Sequence, residues 1–352
     1  MTKILLVGFE GGSHLGGSFF RACLGSKGKL QAELMDGAVA SSSSALWSKL
    51  SFYLLGHPFP NSIQFNDQLM SRIKNFKPSV LICLGNLPVS LEILEMCRRT
   101  KIRTSIFLTD DPWNMQLRNQ FLMSVLKHYA VVFTPRRANI DQLSVLGCRK
   151  VRYLPFGYDN DLFHPVALSE FNAHLHKSDV MFAGGADADR LPYISALIDG
   201  GLNVGLYGGY WDRFSKTRQI SRGLASTDVV RKAIATCKVA LCLVRRANRD
   251  GHVMRTFEVP AVGACMLTED SPEHREIFGE DGQNVFYFNS LENMVERCRW
   301  LISHPNETAR LSASAHRLIT EGANTYRDRL DQMLEVIFGE TGIEATFEKQ
   351  GL

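Results

Sequence analysis

Several absences narrow what this 352-residue chain does. None of its eight cysteines stands in a Cys-x-x-Cys pair, so neither a redox couple nor a zinc ribbon is expected. Cys83 and Cys242 sit inside apolar runs, which reads as buried free thiols in a reducing compartment rather than a disulfide framework. No apolar run approaches the roughly 20 residues of a membrane helix. Ile4–Val7 is too short for a signal-peptide core, so a cytoplasmic protein is expected, with peripheral membrane contact left open. A net charge of +4 is small for a nucleic-acid binder, and no nucleic-acid partner is expected. His164, His174 and His176 lie together without a fourth ligand, so no metal site is read there. The run Gly8 to Gly17 lacks the strict Gly-x-Gly-x-x-Gly spacing of a dinucleotide fingerprint.

What is present centres on Asn248 to Gly263. Two carboxylates, Asp250 and Glu258, flank Arg255. Pro260 is placed where a short helix would begin, and Gly263 where that helix would yield to the apolar run Ala264–Leu267. A helix N-terminus favours an anion, so phosphate is a natural guest. A carboxylate repels phosphate, so Glu258 suits neutral hydroxyl donors such as a ribose diol. Arg255 suits the phosphate, or else forms an i,i+3 surface pair with Glu258.

Elsewhere the pattern is of alternating strands and helices, as in doubly wound sheets, and the length invites two domains. Strands are read at Lys3–Gly8, Pro78–Gly85, Ile102–Leu108 and Val131–Thr134, then at Asp179–Gly185, Leu202–Tyr207, Val239–Val244 and Val285–Phe288. Helices are read at Asn66–Phe76 and Leu291–Ile302, an excursion loop with a short helix over residues 41–59, and a polar, frayed tail from Gly339. Gly11 and Gly12 open a loop that lets a backbone approach an acceptor or a phosphate. Asp110 and Asp111 end a strand, where one could act as a base and one as a helix cap before Pro112. Gly184 and Gly185, with Arg190 after them, offer backbone donors and a guanidinium to a pyrophosphate, although Arg190 could instead pair with Asp187 or Asp189. Tyr210 and Trp211 end a strand where aromatics stack on a base or pack the domain.

Residues 240–330 resemble the donor-binding half of the group-1 glycosyltransferases, in particular the CgeB-like branch. Its pattern of Arg, Phe-Glu, Pro-Ala, small-Gly and an apolar strand is matched by Arg255 to Leu267. Leu154-Pro155-Phe156-Gly157 through Pro165 is similar to the hinge of that family, Asp110-Asp111-Pro112 is similar to a step common in it, and Asn324–Arg329 resembles its closing segment. The resemblance implies an α/β fold of two Rossmann-like domains facing across a cleft, the GT-B glycosyltransferase fold. It divides the chain into an acceptor domain at 1–165, a donor domain at 166–320, a helix at 321–338 crossing back to the first domain, and a tail at 339–352. It implies Glu258 on the ribose, with Gly263 completing the matched motif, and Asp250 near the donor sugar in a place usually held by glutamate. It also implies Arg190 on the diphosphate.

The activity implied is metal-independent transfer of a sugar, hexosyl or related, from a nucleotide-diphospho-sugar to an acceptor hydroxyl, in glycan biosynthesis. The nucleotide sugar is then a co-substrate and no cofactor is expected. The acceptor is a glycan, a lipid-linked species or a protein. His14 and Asp110 are the candidate acceptor bases. Two other readings stand beside it: a catalytically inactive nucleotide-sugar-binding protein of the same fold, and an NAD-dependent oxidoreductase built on the glycine loop and Asp36.

Overall fold

The computed structural model describes residues 1–12, 14–26, 28–41, 59–117 and 120–339. Most of the excursion read over 41–59, and the tail beyond Gly339, lie outside them. The chain forms two compact units.

The first unit comprises Met1–Pro155, Ala247–Arg249 and the C-terminal segment from Tyr326. Its sheet has six strands: β1 (Thr2–Gly8), β2 (Leu30–Asp36), β3 (Val80–Leu84), β4 (Arg103–Phe107), β5 (Val131–Thr134) and β6 (Val151–Tyr153). They are all parallel in the order β2-β1-β3-β4-β5-β6, with Val7 opposite Met35 on one side and Cys83 on the other. Every residue of β3 is buried, because helices cover both faces of a parallel sheet. Phe65, Leu69 and Ile73 of the helix Ser62–Phe76 and Ile93, Leu94 and Cys97 of the helix Leu91–Arg99 join Leu5, Leu81 and Ile106 in its core. The C-terminal helix Tyr326–Phe338 is tied into this unit. The Tyr326 and Phe19 rings lie 5.3 Å apart, and buried Arg329 donates to the Pro155 carbonyl at 3.1 Å.

The second unit comprises Phe156–Arg246 and Asp250–Thr325. Its strands are β7 (Ser178–Ala183), β8 (Val204–Tyr207), β9 (Cys237–Cys242), β10 (Met266–Glu269) and β11 (Phe286–Phe288), all parallel in the order β11-β10-β9-β7-β8. The chain passes into this unit after Pro155, earlier than residue 165, because the hinge aromatics Phe156 and Phe163 pack there. Phe156 lies edge-on to His252, and Arg255 stands over the Phe163 ring at 5.7 Å.

In both sheets the first strand has the second on one side and the third on the other. The strand order therefore reverses between β1 and β3 and between β7 and β9, where open α/β sheets bind ligands at the carboxyl ends of the strands. Serine caps begin the helices that cover the second sheet: Ser226, Ser271 and Ser290 accept from Val229, His274 and Asn293 N–H, each cap worth about 1 kcal/mol.

The helix at Pro260 differs from expectation. It runs Arg255–Val262, so Pro260 lies inside it and its N-terminus is at Met254. Val253 and Met254 carbonyls already accept from the Thr256, Phe257 and Glu258 N–H groups, which starts the helix one turn before the proline. Gly263 ends it in the left-handed conformation at φ 89°, as expected of a helix stop.

Candidate active site

In the second unit the β7 loop is shaped by close backbone approach. A Cβ on Gly208 would lie 2.1 Å from the Gly184 carbonyl oxygen, so the loops after β7 and β8 meet only because position 208 is glycine. Gly184 N–H donates to Tyr207 O at 2.9 Å, and buried Trp211 donates its indole N–H to Gly184 O at 2.8 Å. The two aromatics read together divide: Trp211 is core, while Tyr210 is 57% exposed in a left-handed turn with Arg213 over its ring.

Arg190 stands at the N-cap of the helix Leu191–Asp199. Asp187 accepts its backbone N–H at 2.8 Å and pairs with its guanidinium at 3.6 Å, and Nη1 also donates to Gly185 O at 3.1 Å. Burial lowers its pKa from the ordinary arginine value; Asp187 and Asp250 oppose that shift and Arg245 adds to it. The pairing with Asp187 is therefore real, and it aims the guanidinium toward the glycine loop instead of leaving it free.

The end of β9 brings the rest together. Arg190 and Arg255 both lie within electrostatic range of Cys242, the strand's last residue. Asp250 closes the preceding turn through its N–H to Arg245 O at 3.2 Å. Arg255 and Glu258 form the i,i+3 ion pair through Glu258 Oε2. Glu258 is 1% exposed, and its Oε1 is buried without a hydrogen-bond partner. A buried carboxylate oxygen with no donor is costly, and a donor brought to it would lower that cost. Gly263 stands apart at the far end of that helix, where its carbonyl accepts from Ser312.

Beneath the turn lies a polar network that the sequence pattern did not disclose. Buried His252 bonds Glu273 through Nδ1 at 2.8 Å, and its Nε2 accepts the Phe156 N–H at 3.1 Å. Thr256 bonds His274 Nε2 at 3.0 Å and accepts the Val253 N–H at the same distance. Burial lowers the His274 pKa to about 4, and its Nδ1 faces the Glu269 carbonyl at 2.9 Å.

In the first unit the candidate residues stand at the ends of β1 and β4. A Cβ on Gly16 or Gly17 would strike the Phe9 or Glu10 carbonyl at 2.4 or 2.3 Å, so those glycines seat the helix Leu15–Leu24 against the loop. Gly11 faces open space and Gly12 has φ 58°. His14 is the exposed N-cap, its ring 5.7 Å from Phe9. Asp36 Oδ1 accepts from Ala38 N–H at 3.0 Å and Glu10 N–H at 3.4 Å, so this carboxylate braces the loop. The two aspartates differ in what they hold. Asp111 caps the turn by accepting Trp113 N–H at 3.0 Å, while Asp110 Oδ1 accepts from Asn248 at 2.9 Å. Asn248 in turn accepts from Asn114 at 2.7 Å. Among the described residues no group of three or more His, Cys, Asp or Glu is placed to hold a metal.

Residues 190–335 match the family model described as "Glycosyl transferase-like". No curated protein matches the chain. Solved structures do. Sucrose-phosphate synthase from Thermosynechococcus elongatus superposes with a TM-score of 0.70 at 10% identity, over 97% of this chain and 100% of that one. HepE of Anabaena, solved in complex with UDP-glucose, gives 0.60 at 14% identity, over 96% and 99%. UDP-GlcNAc 2-epimerase from Neisseria meningitidis, bound to UDP-GlcNAc, gives 0.54 at 11% identity, over 95% and 100%. The chain thus has the two-domain, parallel-sheet α/β fold of the GT-B glycosyltransferases along its whole length. No helix among the described residues is long and apolar enough to cross a membrane.

Proposed function

We propose that the protein transfers a sugar, hexosyl or related, from a nucleotide-diphospho-sugar to an acceptor hydroxyl, as a group-1 glycosyltransferase of the CgeB-like branch. The observation that carries this reading is Glu258: a buried carboxylate oxygen without a donor, beside Arg255, inside the segment that matches the glycosyl transferase-like model. The ribose diol supplies the missing donors. Arg190 and Arg255 offset the charge of the leaving diphosphate without a metal, and Asp250 orients the donor sugar. The Arg255 to Leu267 motif supports the CgeB-like assignment, and the structures that bind UDP-glucose and UDP-GlcNAc support a nucleotide-sugar ligand.

The first unit supplies the acceptor side. Asp110, held by Asn248 and by the Thr109 hydroxyl at 3.3 Å, serves as the oriented base, with His14 the alternative. A glycan, lipid-linked or protein acceptor in the cytoplasm fits this scheme. The likeness to an epimerase favours one second reading, conversion of the nucleotide sugar without an acceptor. Two readouts on a panel of UDP-, GDP-, ADP- and dTDP-sugars decide between them: release of nucleoside diphosphate, and change of the nucleotide sugar itself, followed by chromatography. Release that rises with added acceptor supports transfer, acceptor-independent turnover supports the second reading, and no turnover with any donor contradicts both.

A further inference from the structure

The turn that carries Asp250 and leads to Arg255 is held from below, and the holding groups have no place in the chemistry proposed above. His252 lies two positions after Asp250 and three before Arg255, and it is buried. The Phe156 backbone N–H points at its Nε2 at 3.1 Å, so that nitrogen is the acceptor and the ring carries its proton on Nδ1. Nδ1–H then donates to Glu273 Oε2 at 2.8 Å. Phe156 and Phe257 each stand edge-on to the imidazole with ring centroids 5.7 Å away, which fixes its plane.

The same carboxylate presses on the turn itself. A Cβ on Gly251 would lie 2.5 Å from both Cδ and Oε2 of Glu273, so the backbone between Asp250 and His252 lies directly on it. Ser271, two residues before Glu273, donates its hydroxyl to the Gly251 carbonyl at 2.5 Å. The turn 250–252 is therefore gripped at one carbonyl, one glycine face and one imidazole by the segment Ser271–Glu273.

We propose that His252 and Glu273 are positioning residues for the donor site, with Gly251 leaving the space they need. They touch no ligand; they set the direction in which Asp250 and Arg255 leave the turn. A charged group displaced by about 1 Å can cost two orders of magnitude in a reaction that depends on alignment, so the pair matters out of proportion to its distance from the ligand. This inference rests on the donor-binding reading of Arg255 and Glu258.

The test is isothermal titration of UDP, GDP, ADP and dTDP into the wild-type chain and the variants E273A, E273Q and G251A, with thermal unfolding of each. The amide introduced by E273Q keeps an oxygen to accept from His252, so this variant is expected to retain the wild-type affinity within about threefold. E273A and G251A are expected to weaken the nucleoside diphosphate at least tenfold while unfolding cooperatively. If E273A does not fold, G251A carries the test, because it displaces the carboxylate without removing it. Wild-type affinity in folded E273A or G251A overturns the proposal, as does an E273Q variant that binds no better than E273A. A wild-type chain that binds none of the four contradicts the donor-site reading first, and this inference falls with it.

Discussion

Arg249 grips Asp111 through two parallel hydrogen bonds, Nε to Oδ2 at 2.5 Å and Nη2 to Oδ1 at 2.9 Å, although 138 positions separate them. Both belong to the first unit, and the chain leaves that unit again at Asp250. The same guanidinium group donates to Asn139 and Gln142 at 3.0 and 2.8 Å. Asp111 is 1% exposed, so the fork acts on a buried charge.

Replacing Arg249 by alanine removes the fork from that buried carboxylate. The expected loss is about 3 kcal/mol, the lower end for breaking a buried pair because the arginine is part exposed. Denaturant unfolding measures it. The double variant R249A/D111N is expected to be less destabilised than R249A alone; equal loss in both would show that the pair is not the source.

His274 gives the stability a defined pH dependence. Burial lowers its folded pKa from 6.5 to about 4, so the unfolded chain binds the extra proton between those values. The contribution is complete above pH 6.5 and is lost as pH falls from there toward 4, by at most roughly 3 kcal/mol. The variant H274Q is expected to unfold with a flatter pH profile across that window. An unchanged slope would remove His274 as its cause.

Burial raises the thiol pKa values, to about 12 for Cys23, Cys83, Cys265 and Cys298 and about 11 for Cys97, Cys148 and Cys242. A thiol reagent at pH 8 is expected to label these cysteines at least a hundredfold more slowly in the native chain than in denaturant, where all eight react. Rapid native labelling of several would contradict the packing of both cores.

Two glycines make a matched comparison. G208A sets a Cβ against the Gly184 carbonyl at φ 134° and is expected to cost more than about 1 kcal/mol, whereas G11A meets nothing and should stay within about 0.5 kcal/mol. Thermal melts of the two variants distinguish them, and equal melting temperatures would refute the close approach of the β7 and β8 loops.

The strands were legible because buried parallel strands read as unbroken apolar runs: Val80–Leu84 and Val131–Thr134 were recognisable without any contact being known. Pro260 misled, since proline favours a first helical turn, yet the backbone bonds from Val253 and Met254 start the helix earlier. The Arg249–Asp111 contact was not legible, because a three-residue visit to another unit leaves no local pattern. His252 and Glu273 stayed hidden for a similar reason, being paired across 21 positions with no shared motif. Arg255 and Glu258 were legible as an i,i+3 pair, but the buried, unpartnered Oε1 is a property of packing alone.

The central claim is that Glu258 holds a nucleotide ribose. The most direct measurement is a thermal-shift and titration series with UDP, GDP, ADP, CMP, dTDP and NAD on wild type and E258A, because a ligand of the native state raises the melting temperature by mass action. One nucleoside diphosphate is expected to stabilise the wild type. Loss of a hydrogen bond to a charged group is worth about 1.5–3 kcal/mol, so E258A should bind that ligand roughly ten- to a hundredfold more weakly. Stabilisation by NAD alone, or undiminished affinity in E258A, would contradict the account.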